Sequence, residues 1–148
     1  MEQLYRSFAE RYLSIDRSGM NGLQQLLLLI QIQIERNRND LSCAKVFVRA
    51  YTTALRTAVY KDLPAAQYDA PLREIVYHCI EEGIRDGSIR RDIAPLDTYL
   101  LISSNYMGLV LRLIYFYSVG FTKEEHRAEL LLVFIQYVHM LEKYLKAE

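Results

Sequence analysis

Apolar residues recur at helical spacing along nearly the whole chain. Leu4, Phe8, Tyr12 and Ile15 share one face of a helix predicted from about Glu2 to Ile15, and the stretch DRSGMNG breaks that pattern. A second helix covers LQQLLLLIQIQIERN, where Leu23, Leu26, Leu27, Ile30 and Ile34 follow the i, i+3, i+4, i+7 rule. Asp40 suits the N-cap of a third, with a stripe at Leu41, Ala44, Val48, Tyr51, Leu55 and Val59 and an end before Pro64. Asp69 and Pro71 open a fourth, whose stripe is Leu72, Ile75, Val76, Cys79, Ile80 and Ile84, with Gly87 as the left-handed residue after its end. Pro95 starts a fifth that runs to about Ser118, and Thr122 with Glu125 forms a T-x-x-E capping box for the sixth. No strand-like alternation survives over a useful length. The pattern predicts an all-α bundle of about six helices in a single domain, 1–148, without repeat or linker.

The last two helices carry more apolar surface than one core uses. On the sixth, Phe134, Val138, Leu141 and Leu145 form a central line, flanked by Leu131 and Ile135 on one side and Val133, Tyr137, Met140 and Tyr144 on the other. Together they span roughly 200°, about twice the stripe a surface helix needs. The fifth, YLLISSNYMGLVLRLIYFY, is apolar on nearly every side except the row Asp97, Asn105, Gly108 and Arg112, where Gly108 leaves room for another helix. A central place in a monomeric bundle would explain both helices. The reading favoured here is a two-fold homodimer that pairs them with their copies as a four-helix contact, drawing on Gly108, Arg112, Tyr115, Phe134, Val138 and Leu141.

Charge narrows the function classes. Lys plus Arg equals Asp plus Glu, 18 against 18, so the chain lacks the basic excess of a domain that grips nucleic-acid phosphates. Cys43 and Cys79 are far apart and have no metal-type spacing, which fits free thiols in a reducing cytoplasm. The longest apolar run, LLLLI, is too short to span a bilayer, and LVLRLIYFY carries Arg112.

Catalytic and metal chemistry finds no support. His78 shares a polar helix face with Glu74, Glu81 and Arg85, and His126 and His139 lack a second ligand at i+4. The carboxylate pairs Glu81 with Glu82 and Glu124 with Glu125 point different ways on a helix. The expectation is no enzyme, no cofactor and no metal. The unusual residue is tyrosine, with 12 copies and no tryptophan. Phe47, Tyr51, Tyr77, Tyr106 and Met107 fall on or beside the stripes of the three middle helices, either as plain core or as the wall of an adaptable apolar pocket, with Asn105 beside them for polarity. Arg112 reads either as an ion-pair member at the dimer interface or as a partner for an acidic ligand.

The stretch CIEEGIRDGSIRRDIAPLDTYLLISSNYMGLVLRLI resembles the middle of the regulatory domain of TetR-family transcriptional regulators. There a helix ends in E-G-x-x-x-G-x-[IL]-R-x-D, matched by Glu82, Gly83, Gly87, Ile89, Arg90 and Asp92, and a long helix with a small residue, here Gly108, follows. The opening MEQLY resembles the tail of that family's DNA-binding signature through Glu2, Leu4 and Tyr5. The resemblance implies a C-terminal effector-binding and dimerisation domain, with residues 1–16 the remnant of a helix joined to a missing helix-turn-helix domain. It also implies an apolar or amphipathic small-molecule effector between the third, fourth and fifth helices, a cytoplasmic repressor, and operator DNA reached only through the missing domain. A free-standing helical dimerisation module without ligand, and a carrier of apolar ligands, are the competing readings.

Overall fold

The computed structural model describes residues 2–40, 42–46, 48, 49, 52, 70–118 and 124–148. Helices α1 (Glu2–Leu13) and α2 (Gly22–Asn39) are followed by helical residues 42–46, 48, 49 and 52, called α3, and by α4 (Ala70–Asp86), α5 (Pro95–Ser118) and α6 (Glu124–Leu145). Among the described residues the only extended pairing is an isolated antiparallel bridge between Ile89 and Lys146. The all-α architecture is as the spacing predicts. The predicted end of the third helix and the caps at Asp69 and Thr122 lie outside the described residues.

Local chemistry explains three of these boundaries. Helix α1 stops at Leu13, two residues before the predicted Ile15, because Arg17 folds back and donates to the carbonyls of Tyr12 (2.5 Å) and Ile15 (3.1 Å). Its guanidinium also lies 4.4 Å from the centre of the Tyr12 ring, so a cation covers the negative end of the helix. Helix α2 begins at Gly22 behind a capping box that the apolar pattern alone does not reveal. The Asn21 side chain accepts from the Gln24 N–H (2.8 Å), and the Gln24 side chain accepts from the Asn21 N–H (2.9 Å). Asp40 caps α3 as predicted, its Oδ1 accepting from the N–H groups of Ser42 (2.9 Å) and Cys43 (3.2 Å).

Helix α4 is the central element, packed against α1, α2 and α5, while α6 packs against α2. The α2–α4 crossing is close enough to require glycine on one side. A Cβ on Gly22 would stand 2.1 Å from the Gly83 nitrogen and 2.5 Å from the Cys79 carbonyl oxygen, both backbone atoms. The core runs through Phe8, Leu26, Leu29, Ile80, Ile89, Val110, Leu113 and Leu145, all essentially inaccessible.

The E-G-x-x-x-G-x-[IL]-R-x-D stretch is a clasp at one end of this core. Gly87 takes φ +81° and turns the chain after α4, so Ile89 folds back under Gly83 and donates its N–H to the Gly83 carbonyl (2.9 Å). Asp86 and Ser88 then reach α2, accepting from the Gly22 N–H (2.7 Å) and the Leu23 N–H (3.1 Å). The Arg90 N–H donates to the Leu145 carbonyl (2.9 Å), and Arg90 pairs with Asp92. Three helix ends therefore meet in one loop. The motif residues shape the fold, and their polar groups are used up in doing so.

Candidate functional site

Polar chemistry enters the interior at the other end of α2. Asn37 is 1% exposed and Tyr106 3%, and the Asn37 Nδ2 donates to the Tyr106 hydroxyl at 2.5 Å. The Asn37 Oδ1 is fully enclosed and has no hydrogen-bond partner among the described residues. Nearby on α6, Tyr137 donates its hydroxyl to the Ile102 carbonyl (3.1 Å). Burial pushes both phenols above the usual tyrosine range; for Tyr106 the hydrogen bond from Asn37 opposes that rise without cancelling it.

The residue before Asn37 faces α1. Arg36 donates to the Ser7 hydroxyl (2.8 Å), and its guanidinium lies 5.1 Å from the centre of the Phe8 ring. Burial raises the Cys43 thiol pKa, and the Arg36 charge offsets part of that rise. Side chains from α1, α2, α3, α5 and α6 thus converge around Arg36, Asn37, Cys43, Tyr106 and Tyr137.

The predicted pocket residues do not all meet here. Tyr106 and Met107 are buried in the core. Tyr77 is half-buried and packs edge-on against Tyr99, with ring centroids 6.0 Å apart. Asn105 is exposed and donates to the Leu101 carbonyl of its own helix (2.8 Å). It therefore points away from Tyr106 and supplies the interior with no polarity. Phe47 and Tyr51 lie outside the described residues. The interior amide is Asn37, and its signal stood in the sequence as the one polar residue continuing the α2 stripe at i+3 from Ile34 and i+7 from Ile30.

The predicted dimer residues also divide. Phe134 and Leu141 are buried in the protomer's own core, and Val138 packs half-buried against it. Phe134 and Leu141 are therefore not available to a second chain. The sixth helix exposes its flanks instead, with Leu132 and Ile135 on one side and Val133, Met140 and Tyr144 on the other. On α5, Gly108, Arg112 and Tyr115 are exposed, and Arg112 lies over the Phe116 ring at 6.0 Å. Leu101, Ser104, Gly108, Leu111 and Tyr115 form an exposed row at alternating spacings of three and four, which is the spacing of a helix-pairing seam. A Cβ on Gly108 would meet nothing within 4 Å.

By length and composition Pro95–Phe116 would pass as a membrane span, at mean hydropathy 1.3. It is nonetheless a bundle helix, whose Ile102, Tyr106, Met107, Val110 and Leu113 sit in the core. His78 is exposed, and His139 is exposed with its Nδ1 3.9 Å from a Glu142 carboxylate oxygen. No three of the described His, Cys, Asp and Glu side chains cluster as metal ligands would.

The structure is similar to a TetR family transcriptional regulator from Chloroflexus aurantiacus J-10-FL, with a TM-score of 0.61 and 19% identity, over 99% of this chain and 70% of that one. The chain has a TetR-like fold. No protein-family model matches the sequence, and no curated protein is significantly similar to it. At 19% identity the likeness is one of fold.

Proposed function

We propose that this chain is the regulatory domain of a TetR-like transcriptional repressor, one that holds a small apolar effector within the helical bundle and pairs with a second copy through α5 and α6. The observation that carries this reading is the fold likeness to a TetR family regulator across 99% of the chain. The exposed three-four row on α5, centred on Gly108, supports the pairing. The equal count of 18 basic and 18 acidic residues supports assigning operator contact to a separate DNA-reading domain.

In this reading the effector acts by binding one arrangement of the helices better than another. Asn37 and Arg36 are adjacent, and Arg36 holds Ser7 and Phe8 of α1. A guest that shifts the end of α2 would thereby shift α1, the element that would lead to the DNA-reading domain.

Sedimentation tests the pairing. A dimer of the 17.4 kDa chain is expected at tens of micromolar, and Leu111→Glu, placed on the exposed row, should give folded monomers. A monomeric wild type at that concentration overturns the reading. Gly108→Ala sharpens it. The change should stabilise the separated protomer by about 1 kcal/mol through helix propensity, while weakening association because a partner helix loses its close approach.

A further inference from the structure

We infer that Asn37 and Tyr106 are the polar end of the proposed effector site, and that the effector is a neutral apolar molecule carrying a hydroxyl group, an alcohol or a phenol. This rests on the effector reading above and goes beyond it by naming the chemistry of the guest. The observation behind it is the Asn37 Oδ1, enclosed in the core with no partner among the described residues, although the same amide is anchored on Tyr106 by its nitrogen. Buried amide oxygens are nearly always paired, because an unpaired one costs folding stability.

The missing partner must be a hydrogen-bond donor. The surroundings restrict it further: Ile34, one helical turn before Asn37, and Met107 and Val110, on the helix of Tyr106, are buried in the same core, and a site that keeps phenols from ionising also disfavours an ammonium or guanidinium guest. A neutral O–H meets both conditions. It also serves the amide in either orientation. Were the amide turned over, Tyr106 would donate to its oxygen and the NH2 would be left unpaired, and a hydroxyl accepts as well as it donates. A ketone answers only the second orientation and a hydrocarbon neither.

The test uses two probes of nearly the same shape, 4-propylphenol and propylbenzene, titrated calorimetrically into the wild type and into an Asn37→Leu/Tyr106→Phe variant. The wild type should bind the phenol at least about tenfold more tightly, because a pocket built for a hydroxyl leaves its own polar group unpaired against the hydrocarbon. The double variant should lose that preference, because it removes the Asn37 amide together with the hydroxyl it holds. Equal affinity of the wild type for the two probes overturns the assignment to Asn37 and leaves the effector site standing. Failure of both probes to bind at millimolar concentration overturns the effector site itself. A double variant that keeps the preference for the phenol also overturns the inference, because the hydroxyl would then be read by other residues.

Discussion

The two ends of α2 are built on opposite terms. At its start, the Gly22, Leu23 and Gln24 N–H groups are taken by Asp86, Ser88 and Asn21, and the backbone lies against Gly83 with no room for a methyl group. Near its end, Asn37 is just as buried but has an oxygen left over, and Arg36 bridges to α1 rather than sealing the core. Complete satisfaction fixes a structure in one arrangement, whereas a buried polar group left unpaired destabilises the arrangement that holds it. The first end behaves as an anchor. The second has energy to gain from whatever pairs with it.

If that contrast is right, substitutions at the two ends differ in size and even in sign. The largest effect belongs to Gly22→Ala, whose new Cβ would collide with backbone atoms of α4 at 2.1–2.5 Å. It should cost about 3 kcal/mol, the upper end of overpacking, read from the urea midpoint. A loss under about 1 kcal/mol would mean that the helices can separate there without penalty. Next comes Asp86→Ala, which strips the cap from Gly22 and should cost about 1–2 kcal/mol in the same measurement.

Acid should mimic that second substitution. Partial desolvation of Asp86 acts to raise its pKa, but the hydrogen bonds from Ser88 and Gly22 prevail and hold it below the usual aspartate value. A carboxyl depressed in the folded state contributes fully above its unfolded pKa of about 3.9 and loses that contribution as pH falls through the lower folded value. Wild-type stability should therefore drop more steeply below about pH 4 than that of Asp86→Ala, and parallel curves would remove Asp86 from the anchor. The smallest effect is expected at the other end. Asn37→Leu/Tyr106→Phe should cost no more than about 1 kcal/mol, because the unpaired Asn37 oxygen leaves the core with the amide.

Legibility in the sequence followed the range of the interaction. Pro95 and Ser118 as the limits of α5, Asp40 as a cap and Gly87 as a left-handed turn were all readable, because each rests on a residue and its immediate neighbours. The Asn21–Gln24 box was equally local, but it hid in a stretch that reads as a break. Helix faces were harder. Periodicity places residues relative to one another and does not say which side meets the core, so on α6 the sequence points to Phe134, Val138 and Leu141 as the dimer surface, although Phe134 and Leu141 are buried and the flanking Met140 is exposed. Asn105 was drawn inward by its neighbour Tyr106, yet adjacent helical residues diverge by about 100°. The clasp reaches across 64 residues from Asp86 to Gly22, and only the family resemblance hinted that Gly83, Gly87 and Arg90 belong to one device.

That clasp also sets an order of assembly on the ribosome. The first turn of α2 takes its outside acceptors from Asp86 and Ser88, made 64 and 65 residues later. At about 5–20 residues per second, the interval is roughly 3–13 s. During it, Gly22 and Leu23 have only water to bond, and the glycine that will lie against α4 has nothing to lie against. The end of α6 joins later still, when the Leu145 carbonyl accepts from the Arg90 N–H and the Ala147 N–H donates to the Ser88 carbonyl. Helix α2 is thus written early and locked late.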